Sequence, residues 1–302
     1  MSILITGASG FVGRHLIKYL SKDQCKLRLL SRNQQDHDTI ICNLETDEIP
    51  KNALIGVDTI FHLAGLSHDF RKDSDINDLY YSINVDATIN LAKLAVNEGI
   101  KKFVFLSSVK AGGSLGEIEC QNEDNQYEPS GVYGKSKREA ELKLLELSDK
   151  TNLNVTIIRS SLVYGPGVKG NLKLMLDQIN RGWFPPLPET KNRRSMIHVD
   201  DLVRSLVFIA NNRKTKGEIF IATDGIAYSS RGIYIAMCKV IKKPIPRWYV
   251  PKFIFTIACL ISPSIKFKLN KLMGNEYYSS KKLKSLGFIA YRSIEDMNET
   301  IF

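Results

Sequence analysis

A glycine-rich turn near the N-terminus constrains the fold more than any other feature of the chain. Residues 2–6 form a short apolar run typical of a buried strand, Gly7, Gly10 and Gly13 follow it, and an amphipathic helix is predicted from Arg14. Glycines let backbone approach a pyrophosphate, and the N–H groups and dipole of the next helix favour its negative charge. The spacing is Gly-x-x-Gly-x-x-Gly rather than Gly-x-Gly-x-x-Gly, and a turn without ligand is the alternative. The strand, turn and helix predict a dinucleotide site.

Further short apolar runs alternate with helical stretches along the first half of the chain. The runs at 27–30, 59–63, 103–106 and 155–158 have the character of buried strands, which favours a parallel sheet covered on both faces. The 302 residues are 43% hydrophobic, enough for a sizeable core. We expect a sheet domain over residues 1–160 with a return near 196–222, interleaved with a smaller lobe over 161–195 and 223–302.

Tyr133 and Lys137 open a second helical stretch and are four residues apart. Residues at this spacing share a helix face. A tyrosine titrates near ~10, and a fixed positive charge beside it stabilises the phenolate and lowers its pKa. Tyr133 is therefore a candidate for exchanging a proton with a carbonyl or alcohol oxygen. The pair alone is weak evidence, because isolated matches at this spacing are usually surface residues.

Together these features resemble the extended branch of the short-chain dehydrogenase/reductases, which works on nucleotide-linked sugars. Further matches to that family occur in order at residues 61–65, 84–88, 103–108, 159–166 and 194–201. The resemblance implies an enzyme of the α/β class, with a Rossmann-type doubly wound parallel sheet and a smaller mixed C-terminal lobe that binds the substrate.

The resemblance also assigns site residues. Ser108 would hold the reacting sugar oxygen, Tyr133 would exchange its proton, and Lys137 would lower the tyrosine pKa and bind the nicotinamide ribose. The cofactor contacts implied besides Tyr133 and Lys137 are Gly7, Gly10, Phe11, Val12, Gly13, Arg14, Ser31, Arg32, Asn43, Leu63 and Ala64. The implied substrate contacts are Asn84, Lys110, Asn171 and Arg194, although Asn84 has an alternative role as the cap of the helix that runs to Asn97.

Two positions after Ser108 narrow the reaction. Sugar-nucleotide 4,6-dehydratases of the resembled family carry an Asp-Glu pair there, because removing water needs its own acid and base. This chain has Val109 and Lys110. Dehydration is therefore disfavoured, and what remains is oxidation or reduction at one carbon, or both in sequence, which is epimerisation.

The end of the second predicted strand bears on the cofactor. NAD-dependent members carry an Asp or Glu there, whereas an arginine accommodates the 2′-phosphate of NADP. The chain has Ser31 and Arg32 and no acid at this place, and Arg14 is a second candidate cation. We therefore expect NADP, with NAD as the alternative and a solvent-facing Arg32 as the other interpretation. NADPH suits a reductase better than an epimerase, which must regenerate its nicotinamide in every turnover.

The substrate side gives a partial answer. Arg194 matches a family arginine on the nucleotide diphosphate, and its planar fork suits that geometry. Leu162 stands where many epimerases carry an asparagine, and the late Arg-x-Gly-Asp segment of many relatives is missing from the sequence. The closest pattern is that of bacterial enzymes for surface polysaccharides such as O-antigen. We expect NADPH-dependent 4-reduction of a UDP-4-keto-6-deoxy-hexosamine, with a UDP-GlcNAc or UDP-glucose 4-epimerase holding NAD as the alternative.

The net charge of +10 and the lysines of the C-terminal third raise two other interpretations. Nucleic-acid binding is disfavoured because no recognised module occurs and an anionic sugar nucleotide explains positive potential. A membrane-surface scaffold without catalysis would use the apolar run 253–261, which is too short for the ~20 residues of a span. We expect a packed helix under a solvated basic face, and burial of Phe253, Phe255 and Leu260 would exclude the membrane scaffold.

Assembly and location are further expectations. The five cysteines, which include Cys259, have neither paired nor metal-ligand spacing, so we expect a reduced protein without metal. A strand is predicted to begin at residue 2 without a preceding signal segment, so we expect a cytoplasmic protein. Relatives in the resembled family dimerise through two helices. Leu91, Leu94, Leu142 and Leu145 offer apolar positions for such a homodimer, or pack on their own sheet.

Overall fold

The computed structural model describes residues 1–23, 25–67, 76–114, 119–261, 266, 269 and 272–294. These residues form ten strands in two sheets. The strands are β1 (Ser2–Thr6), β2 (Lys26–Ser31), β3 (Asp38–Ile41), β4 (Thr59–His62), β5 (Lys102–Ser108), β6 (Asn154–Ser160), β7 (Leu162–Tyr164), β8 (Arg194–His198), β9 (Glu218–Ala222) and β10 (Ala227–Tyr228).

The larger sheet has seven strands in the order β3-β2-β1-β4-β5-β6-β9. All its neighbours are parallel, with Thr6 of β1 beside Leu30 of β2 and His62 of β4. The strand order reverses between β1 and β4, and ligands of open α/β sheets bind at such a switch point, outside the carboxyl ends of the strands. The predicted Rossmann-type parallel sheet is confirmed.

The described residues also form helices on both faces of this sheet and in the lobe. They are α1 (Phe11–Leu20), α2 (Ile76–Tyr81), α3 (Ala87–Asn97), α4 (Gly131–Lys150), α5 (Asn171–Arg181), α6 (Val199–Asn211), α7 (Ser230–Val240), α8 (Lys252–Ile261) and α9 (Lys281–Ser285). Leu16 of α1 and Leu206 of α6 pack on one sheet face, while Leu91 of α3 and Leu144 of α4 pack on the other. Helix α1 begins at Phe11 rather than at the predicted Arg14, so the turn contains only Gly7 and Gly10.

The smaller sheet is mixed, as predicted, because β7 and β8 are parallel while β10 is antiparallel to β8. Met196 of β8, Tyr234 of α7 and Phe255 of α8 belong to one apolar cluster, which forms the core of the lobe. Strand β8 runs directly into α6, which covers the larger sheet. The chain therefore passes from the lobe back to the sheet at this point.

Helix α8 departs from the expectation for the apolar run. Phe255 is 8% exposed, but Phe253 is 62% and Leu260 is 83% exposed, so two of the three residues expected to be buried are not. Phe253 and Leu260 lie seven apart on one helix face, while Phe255 lies on the opposite face that meets the lobe core. The Cys259 side chain lies outside the described residues. Within the described part of the chain, no helix has the length and apolar character to cross a membrane.

Candidate active site

The glycine turn joins β1 to α1 and is shaped by close backbone contacts. Gly7 has φ of 70°, and a Cβ on it would lie 2.6 Å from the backbone N of Ala64. A Cβ on Gly13 would lie 2.2 Å from the Gly7 carbonyl oxygen. Gly10 caps α1 and makes no side-chain capping bond, which leaves the first N–H groups of the helix without a side-chain cap. A concave backbone surface at a helix N-terminus fits a pyrophosphate, so the residues present suit a dinucleotide.

A buried hydrogen-bond chain ties this turn to the loop after β4. The Thr6 hydroxyl accepts a bond from the Ala64 N–H at 3.2 Å and lies 2.7 Å from Nδ1 of His62. Nε2 of His62 lies 2.8 Å from the Thr88 hydroxyl on α3. Burial, with a smaller contribution from the charge of Lys137, lowers the pKa of His62 to about 3. No sequence pattern marks Thr6, His62 or Thr88 as a linked chain, although Thr6 and His62 are polar residues within predicted apolar strands.

The other residues implied in cofactor binding lie around the same edge of the sheet. Ser31 is buried at the end of β2, and its carbonyl accepts a bond from the Cys42 N–H at 2.9 Å, which aligns the end of β3. Arg32 and Arg14 are exposed, and Asn43 follows β3 with its side chain bonded to the Glu45 N–H at 3.3 Å. Phe11 and Val12 form the first turn of α1, and Leu63 follows β4 with its N–H bonded to the Thr6 carbonyl.

Ser108 and Tyr133 are brought together from β5 and α4. The Ser108 side chain lies close enough to the Tyr133 phenol to lower its pKa, and the Ser108 hydroxyl accepts a bond from the Lys110 N–H at 3.2 Å. Lys137 lies one turn after Tyr133 on α4 and is buried, and its ammonium donates to the Leu106 carbonyl at 3.1 Å. The three predicted catalytic residues therefore lie at the carboxyl end of β5, the same edge that carries the glycine turn.

The pKa values of Tyr133 and Lys137 differ from those expected from the sequence. Desolvation raises the pKa of Tyr133 to about 12, and the interaction with the nearby Ser108 side chain opposes this only in part. Desolvation also lowers the pKa of Lys137 to about 8, opposed by the charge of Glu141. A lowered tyrosine pKa is therefore not seen in this structure, and the role assigned to Lys137 stays a prediction. The physical reason is burial, which disfavours the charged form of both groups.

Asn84 is a buried residue that links the loop after β4 to α4. It is fully buried, its carbonyl oxygen accepts the Leu66 N–H at 2.7 Å, and its amide donates to the Leu66 carbonyl and the Ser136 hydroxyl, each at 3.0 Å. It lies inside a π-helical turn (Ser82–Asp86) and caps no helix, so the alternative capping role is wrong. These bonds fix the loop after β4 against α4. A direct substrate contact would need side-chain surface that Asn84 does not expose.

A buried ion pair anchors α4 to the sheet next to Lys137. Glu141, one turn further along α4, and Arg159 of β6 are each about 1% exposed, and Nη2 of Arg159 lies 2.6 Å from Oε2 of Glu141. The Nε atom of Arg159 donates to the same carboxylate at 3.0 Å. Such a two-point contact fixes the height of α4 over β6, and with it the position of Lys137. The sequence alone did not identify this pair.

The predicted substrate cations converge on a carboxylate that sequence analysis missed. Glu276 forms ion pairs with Lys110, which follows β5, and with Arg194 of β8, the latter at 3.2 Å. Arg194 is buried and lies beside backbone carbonyls of Leu272 and Gly274. Asn171, by contrast, is exposed at the start of α5, and no hydrogen bond within the described residues joins it to the three candidate catalytic side chains.

The family follows from comparison with known proteins. Residues 3–222 match the model of the NAD dependent epimerase/dehydratase family. The chain belongs to this family. Its match covers the glycine turn, Ser108, Tyr133, Lys137 and Arg194, so all of the candidate active site except Glu276 lies within the shared sequence.

Curated relatives of the family resemble the chain over most of its length. It is 34% identical over 265 residues to a UDP-glucose 4-epimerase of Vibrio cholerae, covering 83% of this chain and 78% of the relative. It is 27% identical over 318 residues to an N-acetyl-alpha-D-glucosaminyl-diphospho-ditrans,octacis-undecaprenol 4-epimerase of Escherichia coli O157:H7, covering 99% of this chain and 94% of the relative. These relatives and the family model establish an enzyme of the nucleotide-sugar 4-epimerase and dehydratase type.

Solved structures have the same fold. MoeE5 in complex with UDP-glucose and NAD matches with a TM-score of 0.79 at 23% identity, covering 98% of this chain and 95% of that chain. The UDP-glucuronic acid 4-epimerase from Bacillus cereus in complex with NAD also matches with a TM-score of 0.79, at 18% identity and with the same coverage. At these identities the likeness supports the fold.

Proposed function

We propose that the protein catalyses NAD(P)-dependent oxidation and reduction at C4 of a diphosphate-linked sugar, with 4-epimerisation as the net reaction. The observation that carries this proposal is the placement of Ser108 beside Tyr133 at the sheet edge that carries the glycine turn, where Ser108 lowers the pKa of the tyrosine, with Lys137 bonded to the same strand. Val109 and Lys110 leave the chain without the carboxylate pair that dehydration needs.

The chain's own residues carry the proton transfer. A dinucleotide held by its pyrophosphate at the glycine turn would supply, through its nicotinamide, the acceptor and donor of the hydride. The hydroxyl of Ser108 would hold the C4 oxygen, and Tyr133 would exchange a proton with it. With a pKa of about 12, Tyr133 rests as the neutral phenol, which is a proton donor. Deprotonation of a C4 alcohol needs the phenolate, and the nearby charge of Lys137 would stabilise that form as the sugar binds.

The relatives support epimerisation over the reductase expected from sequence. Both curated relatives named above act as 4-epimerases, and the Vibrio cholerae enzyme is the more similar in sequence. Reduction of a 4-keto sugar by NADPH remains the second candidate. Two observations favour it: Tyr133 rests as a proton donor, and exposed Arg32 stands at the end of β2 where no acid occurs.

The substrate is a sugar on a diphosphate. Lys110 and Arg194 are the cations we assign to that diphosphate, and the lobe over residues 161–195 and 223–302 would hold the sugar, while residues 1–160 and 196–222 hold the coenzyme. The two relatives differ in what the diphosphate carries, a nucleoside in one name and a polyprenol in the other. Leu162 removes an asparagine that many UDP-sugar epimerases place on the diphosphate, which leaves both classes as substrates to test.

The test is a substrate panel with the purified protein and its Tyr133→Phe variant. UDP-glucose, UDP-N-acetylglucosamine and a polyprenyl-diphosphate N-acetylglucosamine in detergent are supplied without added coenzyme, and C4 epimers are measured by chromatography. A UDP-4-keto-6-deoxy-N-acetylhexosamine is supplied with NADPH or NADH in a separate assay. Epimer formation that Tyr133→Phe abolishes supports the proposal, and NADPH oxidation with only the keto sugar supports the reductase. No turnover in any arm would refute C4 chemistry on these substrates.

A further inference from the structure

The lobe carries an exposed apolar surface on α8. Phe253, Ile257 and Leu260 lie at the i, i+4 and i+7 positions of one helix face, and Leu260 is 83% exposed. Phe255, on the opposite face, packs into the lobe core. The helix is therefore fixed to the protein by one side while its other side presents large apolar side chains to solvent. We call this side the α8 face.

Aromatic side chains extend the α8 face along the chain that leads into it. Trp248 is 63% exposed and Trp183 is 76% exposed, and both line one cavity with Lys243. The Val250 N–H donates to the Pro186 carbonyl at 3.0 Å, so the segment before α8 is tied to the loop that carries Trp183. Large contiguous patches of exposed apolar side chains mark interaction surfaces. Tryptophan in particular is enriched where proteins meet the interface of a bilayer.

The chain segment that contains α8 carries charge of one sign. Between Asp224 and Glu276 the sequence contains no Asp or Glu and nine Lys or Arg, which is nearly all of the net charge of +10. The nine are Arg231, Lys239, Lys242, Lys243, Arg247, Lys252, Lys266, Lys268 and Lys271, of which Lys268 and Lys271 lie outside the described residues. Arg247 and Lys252 are exposed beside Trp248 and Phe253 in sequence. Basic side chains around an apolar face are the pattern of helices that lie in the plane of an anionic membrane surface.

We propose that the α8 face, with Trp183, Trp248 and the exposed basic side chains of Arg247 and Lys252, docks on the surface of an anionic phospholipid bilayer. A second copy of the chain fits less well, because a twofold contact would place the same basic segments against each other. Nucleic acid would match the charge but would leave the large aliphatic side chains exposed. The lobe core that holds Phe255 also holds Met196, two residues after Arg194, so the docking helix and the candidate diphosphate-binding strand share one rigid support. The proposal does not depend on the proposed function, because docking is measured without turnover.

The test is flotation of the full chain with vesicles of phosphatidylcholine alone and with one third phosphatidylglycerol. We expect flotation only with the anionic vesicles, weakened by salt. Phe253→Ser with Leu260→Ser, and separately Arg247→Glu with Lys252→Glu, should each lower the partition coefficient at least about tenfold. The glutamate at position 252 lies at a helix N-terminus, where it favours the helix, so loss of binding would not reflect unfolding of α8.

Matched control variants carry the same chemical changes at exposed positions outside the α8 face. Ile55→Ser with Ile289→Ser removes exposed apolar side chains, and Lys22→Glu with Lys101→Glu reverses exposed charges; both should float like the wild type. Equal binding to the two vesicle types, or equal loss in the α8-face and control variants, would overturn the proposal. So would sedimentation data in which the α8-face variants dissociate a dimer while no protein floats, since the face would then join copies of the chain.

Discussion

The buried histidine beneath the glycine turn makes a quantitative prediction about stability and pH. The pKa of His62 is about 3 in the folded protein and 6.5 without the fold, so the unfolded chain takes up a proton in a range where the folded chain does not. Stability from this residue is complete above pH 6.5 and is lost as the pH falls toward 3. At pH 5, about 1.5 units below the unfolded value and at about 1.4 kcal/mol per unit, the loss is about 2 kcal/mol.

The assay compares urea unfolding of the wild type and His62→Asn at pH 8 and pH 5. The variant loses the bonds to Thr6 and Thr88 and should be less stable at pH 8. Because it has no histidine to titrate, its deficit should shrink by about 2 kcal/mol at pH 5. Thr88→Val is the matched control, since it removes one bond but keeps the histidine. Its loss of stability relative to the wild type should be similar at pH 8 and pH 5. A His62→Asn deficit independent of pH would refute the assignment of a neutral, desolvated imidazole.

Four further predictions concern the site and the assembly. Tyr133→Phe should keep the fold and coenzyme binding but lower turnover by ~10² to 10⁴, and Ser108→Ala should cost less; wild-type turnover by Tyr133→Phe would remove Tyr133 as the proton donor. Arg32→Asp should shift coenzyme preference toward NAD by at least about tenfold, about 1.4 kcal/mol, and unchanged kinetics with both coenzymes would show that Arg32 does not bind the 2′-phosphate. Glu276→Gln should tighten UDP binding about threefold in calorimetry, because the carboxylate competes with a diphosphate for two cations, and weaker binding would contradict that competition. A homodimer should appear in sedimentation at micromolar concentration and be weakened by Leu142→Glu, which changes a leucine that is 57% exposed on α4; a monomeric wild type would end this prediction.

Local sequence patterns, together with the family resemblance, determined the architecture and the identity of the candidate catalytic side chains. The apolar strand before Gly7 and the spacing of Tyr133 and Lys137 are properties of short segments. In a parallel sheet the carboxyl ends of all strands lie at the same edge, so residues that follow these strands come together there. Ser108 could be aligned because it ends a buried strand. These features predicted a Rossmann-type sheet, and they predicted which residues would meet at its edge.

Only the tertiary structure decided the environment of those residues. The pKa values of Tyr133 and Lys137 depend on desolvation, which comes from everything packed around them, and no spacing rule contains it. Glu276 meets Arg194 from 82 residues away along the chain. The exposure of Leu260 depends in the same way on which side of α8 the lobe core occupies. Local periodicity establishes that a helix forms and which side chains share a face, whereas burial and charge pairing are sums over distant segments that only the folded chain brings together.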